Sequence, residues 1–329
     1  MPCSAVALLL LCYFAFAPAT RAQSLDHVES SSREVTYSNG DVMLAGTLLL
    51  PSGKGPFPAV VIIHGSGSSD RSNPWTATYA SAFVERGVAV LHPDKRGSGE
   101  SGGNWREASF SDLADDAVAA IHLLRTDVSV DSTRIGLIGF SQGGHVAPVA
   151  TTRSSAVCFV INVSGSVVPI LEQIGDELRK MGEREGLSAE ELKTIQLLHD
   201  RAVDYALTRE NWTAYTAALA DAQRGALAES EVVKGFPADP DSGAWEFLRT
   251  IGNFDPLPHW RDVEVPALFL YGGRDENVDV FKSAGIIEES LTSAGLPYSL
   301  LLFRNNGHAL FREDAMDFIA RWIHSGGTD

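Results

Sequence analysis

The chain has 329 residues, 44% of them hydrophobic and 21% charged, which suits one large globular domain with a substantial insertion and excludes a collagen-like or low-complexity chain. Asp and Glu outnumber Lys and Arg by 42 to 26, for a formal net charge of −16. A surface this acidic repels phosphate backbones and anionic bilayers, which argues against nucleic-acid partners and peripheral lipid binding and leaves a neutral small molecule open.

Residues 1–22, "MPCSAVALLLLCYFAFAPATRA", carry an uncharged run from Ala5 to Ala19. That run is shorter than the roughly 20 apolar residues a membrane helix needs. Small residues ending at Ala19 and at Ala22 suit signal peptidase. The segment reads as a cleavable secretory signal, with an uncleaved anchor or a buried helix as alternatives. The expected location is therefore secreted or periplasmic, with no stable membrane insertion after cleavage. Removing the signal takes Cys3 and Cys12 and leaves Cys158, so no internal disulfide is expected. Cys158 lies in "AVCFVINVSG" and reads as a small apolar residue of a buried strand.

Strand-like and helix-like segments alternate from residue 34. "EVTYS" and "VMLAGTLLL" read as an antiparallel pair turning at Asn39-Gly40. "PAVVIIHG" (58–65) is a continuous apolar run, as a strand covered on both faces requires. A helix over 78–87 closes at Gly87, a strand follows at 88–94, and a helix over 111–126 opens with Ser111 and Asp112. "RIGLIGF" is a strand, "QGGHVAPVATTR" a helix, and 156–165 a strand. The pattern then breaks: 166–260 holds acidic, Ala/Leu-rich helical stretches and a Pro-rich tail around Pro237, Pro240, Pro256 and Pro258. Alternation resumes with a strand at 265–273, a helix at 281–295, a strand at 297–303 and a closing helix at 311–325.

Repeated strand–helix units predict an α/β fold with a mostly parallel central sheet and helices on both faces. The expected division is a core of 23–165 and 261–329 and an inserted helical cap, 166–260, over the edge of the sheet where ligands bind.

"GFSQG" (Gly139–Gly143) fits G-x-S-x-G between a strand and a helix. The glycines leave room for a sharp turn that holds the Ser141 hydroxyl above the sheet. A serine hydroxyl is inert at neutral pH without a base that a carboxylate orients. "LFLYGGRDENV" supplies Asp275, favoured over its neighbours Glu276 and Asp279 because Gly272-Gly273 lets the loop turn just before it. "LLFRNNGHALF" supplies His308 on the loop after the last strand, whereas His324 lies inside the final helix. An oxyanion needs two backbone donors. Gln142 N–H is one, and the "HGSGSSD" loop gives the other, Ser66 in preference to Gly67. His64 and His145 read as structural residues.

On these pieces the chain resembles the α/β-hydrolase family: "HGSG", "HPDKRGSGES", "GFSQGG", "GGRDENV" and "NNGHA" follow in the family's order over residues 34–324. It looks nearest to bacterial serine esterases and acyl hydrolases of the dienelactone-hydrolase and prolyl-oligopeptidase-like branch with a helical lid. The resemblance implies a triad of Ser141, Asp275 and His308, an oxyanion hole of Ser66 and Gln142, an acyl-serine intermediate and no cofactor. It also implies that Asp94 and Arg96 lock a structural loop together. The histidines are scattered without a metal-binding motif.

The function expected is hydrolysis of a small or medium acyl ester, a small-molecule substrate. A peptidase or amidase and a thioesterase are alternatives on the same triad, and Glu172, Glu177 and Glu183 would offer a clamp for a peptide amine. A non-catalytic binding protein on this fold is a reading of another class. Trp212, Tyr205, Tyr215, Trp245, Phe247 and Phe254 are either pocket residues or packing between cap and sheet. Oligomeric state is not legible.

Overall fold

The computed structural model describes residues 30–327, so the signal expected over 1–22 lies outside the described residues. The strands are β1 (Ser31–Asn39), β2 (Val42–Leu50), β3 (Phe57–Ile63), β4 (Ala89–Pro93), β5 (Val130–Phe140), β6 (Phe159–Val163), β7 (Ala267–Gly272) and β8 (Tyr298–Phe303). They form one sheet in the order β1-β2-β4-β3-β5-β6-β7-β8. β2 is antiparallel to both its neighbours, and every later pairing is parallel. The chain moves outward from β3 to β4 and then returns to β5 on the other side of β3. That reversal opens a crevice at the carboxyl ends of β3 and β5, where open α/β sheets bind ligands.

The helices of the core are α1 (Pro74–Glu85), α2 (Phe110–Arg125) and α3 (Gly143–Arg153); two more, here α10 (Val280–Ala294) and α11 (Glu313–His324), follow the last two crossings of the sheet. Alternation along the strands divides the core. Ala59, Val61 and Ile63 of β3 pack with residues of α2, α3 and α10, whereas Val60 and Ile62 pack with residues of α1 and α11. β4, β6 and β7 are buried along their whole length, which is why they read as unbroken apolar runs.

Between β6 and β7 lie α4 (Ile170–Arg184), α5 (Ala189–Thr208), α6 (Trp212–Ala222), a 3-10 turn (Gly225–Glu229), α7 (Glu231–Lys234), α8 (Gly243–Ile251) and α9 (Pro256–Arg261), with no strand among them. Tyr205, Trp212, Tyr215 and Trp245 pack together in the middle of this block, with ring centroids 4.7 to 6.4 Å apart and Trp245 meeting the other three edge to face. Four of the six aromatic residues in question therefore hold the helices to one another.

The structure differs from the sequence reading at several places. α1 starts at Pro74, four residues early, because the Asn73 side chain accepts from the N–H of Trp75 and Thr76 and Pro74 has no N–H that needs an acceptor. α2 is capped by Ser109, whose hydroxyl and Asp112 form a reciprocal capping box, rather than by Ser111. The Pro-rich tail is not a tail: Ser242 caps α8 and Asp255 caps α9, with Pro256 in its first turn. Cys158 is only half-buried and precedes β6, its Sγ 3.0 Å from the Thr133 carbonyl oxygen.

Candidate active site

Ser141 sits between β5 and α3 with φ +51°, a left-handed conformation that costs a non-glycine residue about 1–3 kcal/mol and that surrounding structure must hold in place. The flanking glycines explain how it is held. A Cβ on Gly139 would lie 2.3 Å from the Gly143 carbonyl oxygen, and one on Gly143 would lie 2.2 Å from the Ile63 carbonyl oxygen. The turn is therefore folded against β3 so tightly that only hydrogen fits at either position. The Ser141 N–H is tied to the Val163 carbonyl of β6.

His308 reaches this turn from the loop after β8. Its Nε2 is 2.9 Å from Ser141 Oγ, and its Nδ1 is 2.8 Å from Asp275 Oδ2. Asp275 lies on the loop after β7 with a fully buried side chain, and its Oδ1 accepts from the N–H of Asn277 and Val278, each at 2.8 Å. The backbone of His308 is anchored by Ser164 Oγ, which donates to its carbonyl at 2.8 Å, and its ring meets the edge of Trp75 at 5.4 Å. The neighbouring acids are occupied elsewhere: Glu276 is exposed and pairs with Arg184, and Asp279 caps α10. His324 ends α11, its Nε2 2.8 Å from the Arg86 carbonyl oxygen.

Ser66, Ser141 and Gln142 line one cavity of about 30 Å³, together with His145, Gln173, Glu177 and Phe247. Among the described residues, neither the Ser66 nor the Gln142 N–H donates to a protein acceptor. Gly67, at φ +79°, makes the turn of the loop beside Ser66.

The remaining loop residues fall into place around this cavity. His64 Nε2 lies 2.7 Å from the Pro93 carbonyl oxygen and Nδ1 2.9 Å from Ser69 Oγ; burial lowers its pKa to about 4, so it is a neutral scaffold residue. Asp94 and Arg96 do not pair with each other. Asp94 takes Arg71 on both oxygens at 2.9 Å, and Arg96 reaches across to Asp116 on α2 at 2.6 and 2.8 Å. Successive side chains on that loop leave in different directions, so each finds a partner from another segment. Arg71 also binds Glu100 and Glu34, which ties the first strand to the loops after β3 and β4.

His145 packs between Phe110 and Phe254, with neither ring nitrogen hydrogen-bonded, and burial lowers its pKa to about 4. Phe254 stacks on His259 outside the cavity, so of the six aromatic residues named from the sequence Phe247 alone lines it. Of the three acids, Glu172 pairs with Lys282 and Glu183 with Arg179, but Glu177 turns inward. Burial first, and then Asp275, raise the Glu177 pKa to about 7 against the opposing pull of His308, Arg184 and Lys180. Ile170, Gln173, Ile174 and Glu177 recur at three- and four-residue spacing on α4, and that period is the signal that would have brought them to one face.

Esterase EstD of Thermotoga maritima is 26% identical over 276 residues, which cover 81% of this chain and 58% of that protein, so the chain spans little more than half of that relative's length. The quorum-quenching protein AidA of Acinetobacter baumannii is 31% identical over 130 residues, covering 39% of this chain and 42% of AidA. Among solved structures, the Pyrococcus furiosus esterase Pf2001 superposes with a TM-score of 0.58 at 18% identity over 95% of this chain and 98% of that one. The proline iminopeptidase of Mycobacterium smegmatis superposes with a TM-score of 0.57 at 19% identity over 90% and 99%. At such identities the structural likeness is one of fold. Residues 60–322, from the middle of β3 to the last helix, match the alpha/beta hydrolase family, and with the sheet order and the β5–α3 turn described above the chain belongs to that family.

Proposed function

We propose that the chain is a serine hydrolase that cleaves carboxylic esters of small acyl groups, with Ser141 as nucleophile, His308 as general base and acid, and Asp275 as the group that orients His308. The observation that carries this reading is the series Ser141 Oγ–His308 Nε2 at 2.9 Å and His308 Nδ1–Asp275 Oδ2 at 2.8 Å, set beneath a cavity that Ser66 and Gln142 also line. The esterase names of EstD and Pf2001 support the choice of ester.

The steps follow from that geometry. His308 Nε2 takes the proton as Ser141 Oγ attacks the ester carbonyl carbon. Negative charge gathers on the carbonyl oxygen, where the N–H groups of Ser66 and Gln142 receive it. The imidazolium, held by Asp275, gives its proton to the alkoxide oxygen as the C–O bond breaks and the alcohol leaves. Water then loses a proton to His308 and attacks the acyl-serine, the acid departs, and Ser141 regains its proton. The helical block, 166–260, acts as the cap of this site, and at about 30 Å³ the cavity under it accepts a few atoms of acyl chain. Residues 1–22 act as an export signal that delivers the mature enzyme to the periplasm or medium.

Hydrolysis of p-nitrophenyl esters from acetate to palmitate by the protein and by Ser141→Ala tests the reading. Activity greatest on the short esters and lost in the variant supports it; unchanged cleavage by the variant overturns it. One observation favours a second reading. Glu177, a carboxylate turned into the cavity, suits the amine of a short peptide, and cleavage of aminoacyl p-nitroanilides in preference to esters would establish that amidase activity instead.

A further inference from the structure

Lys95 lies in "HPDKRG" on the loop after β4, next to the Asp94 and Arg96 pairs but part of neither. Its side chain turns inward and the residue is buried, 8% exposed. Nζ donates to the Gly65 carbonyl oxygen at 2.8 Å and to Gln142 Oε1 at 2.9 Å, and the Trp105 ring lies 5.8 Å away. Among the described residues no Asp or Glu forms an ion pair with it.

The two acceptors are notable for what they adjoin. The Gly65 carbonyl and the Ser66 N–H are the two ends of one peptide plane, and in a trans peptide they point in opposite directions. Fixing the carbonyl on the Lys95 side fixes the N–H on the cavity side. Gln142 is the residue whose own N–H is the other free donor. One ammonium group therefore holds both residues that face the cavity beside Ser141.

We propose that Lys95 is a positioning residue that sets and polarises the two backbone donors of the oxyanion hole, and that the counter-charge missing from its surroundings is the oxyanion itself. The inference rests on the ester-hydrolase reading above. A hydrogen bond to the carbonyl end of a peptide strengthens donation from its N–H end, so the positive charge is relayed through Gly65–Ser66. Burying a lysine without a carboxylate is costly, and burial lowers its pKa to about 7. A neutral side chain of the same length would fill the space without that cost. What it would not supply is a charge that gains its partner only when the carbonyl oxygen becomes negative. Such an interaction is stronger in the transition state than in the ground state, so it acts on kcat and leaves KM alone.

The test compares Lys95→Met, Gln142→Met and the double variant with the parent and Ser141→Ala on p-nitrophenyl acetate. The same proteins are titrated with a trifluoromethyl ketone, which forms an oxyanion on the serine. Lys95→Met is expected to lose roughly 10- to 100-fold in kcat, with KM within about twofold and ketone affinity falling in parallel. Gln142→Met loses less, and the double variant is no slower than Lys95→Met because both changes break one unit. A kcat within twofold of the parent, a loss confined to KM, or losses that multiply in the double variant overturns the proposal. If Lys95→Met does not fold, Gln142→Met decides: unchanged kcat and ketone affinity overturn it. Ester cleavage that survives in Ser141→Ala would instead overturn the hydrolase reading, and the two failures are distinguishable.

Discussion

Asp275 gives one carboxylate oxygen to His308 Nδ1 and the other to two backbone N–H groups, from a side chain with no exposed surface. The carboxylate is thus fixed in rotation, and it holds the imidazole in the tautomer that leaves Nε2 unprotonated toward Ser141. In Asp275→Asn the amide nitrogen has no acceptor in one orientation and faces the Nδ1 proton in the other. The expected result is a fall in kcat of roughly 10⁴-fold with the fold intact. Steady-state kinetics beside a thermal melt checks this, and a loss under tenfold would remove Asp275 from the assigned role.

Gly139 and Gly143 permit the turn that carries Ser141. Gly139→Ala would place a methyl group 2.3 Å from the Gly143 carbonyl oxygen. The turn must open to admit it, which moves Ser141 relative to His308. A destabilisation on the order of 2–4 kcal/mol is expected, with activity lost in the fraction that remains folded. Urea denaturation and phosphonate labelling of Ser141 measure the two effects separately, and wild-type labelling would contradict the steric argument.

Stability should fall steeply on mild acidification. Burial lowers His64 and His145 to about 4 and His92 to about 3, so all three are neutral in the folded protein and protonate near pH 6.5 once it unfolds. A depressed folded-state pKa gives stability that is complete above pH 6.5 and is lost as pH falls toward 4. Each histidine adds a slope of up to about 1.4 kcal/mol per pH unit. Urea midpoints between pH 7 and pH 5 should drop accordingly. In His145→Phe, which keeps an aromatic ring between Phe110 and Phe254, the slope should lessen by one histidine's share.

Glu177 acts in the opposite direction. Its folded pKa, raised to about 7, means that the unfolded chain releases the proton first as pH rises above 4.5. Stability is therefore lost progressively between pH 4.5 and 7 and stays reduced above that. Glu177→Gln should be more stable than the parent above pH 7, by up to about 3 kcal/mol, with the difference gone below pH 4.5. Paired denaturation curves at pH 4.5 and 8 test this, and equal stability at pH 8 would show that the carboxylate is well solvated.

Local pattern made much of this molecule legible. The continuous apolar runs at β3 and β7 gave the buried sheet, and Ser141, Asp275 and His308 stood out because each follows a strand at a glycine-marked turn. What stayed hidden depends on where distant segments meet. The Arg71–Asp94 and Arg96–Asp116 pairs, the two Lys95 hydrogen bonds and the inward turn of Glu177 join residues far apart in the chain. Their side chains alone do not say which neighbour will arrive. α8 and α9 were missed for another reason: prolines at their margins masked the Ser242 and Asp255 caps that start them.

Lys180 of α4 donates to the carbonyls of Asp275 and Val278 at 3.3 and 2.7 Å, on the same short loop that presents the carboxylate to His308. The helical block is thus fastened to the loop that carries Asp275, the carboxylate proposed above to orient His308. For protein engineering this makes the block a poor interchangeable module. A replacement block with no lysine at that place would release the loop on which the Asp275 geometry depends. Grafts that keep α4 and exchange only the segments from α5 through α8 would preserve the fastening while still changing Phe247 and Ile251 on the cavity wall.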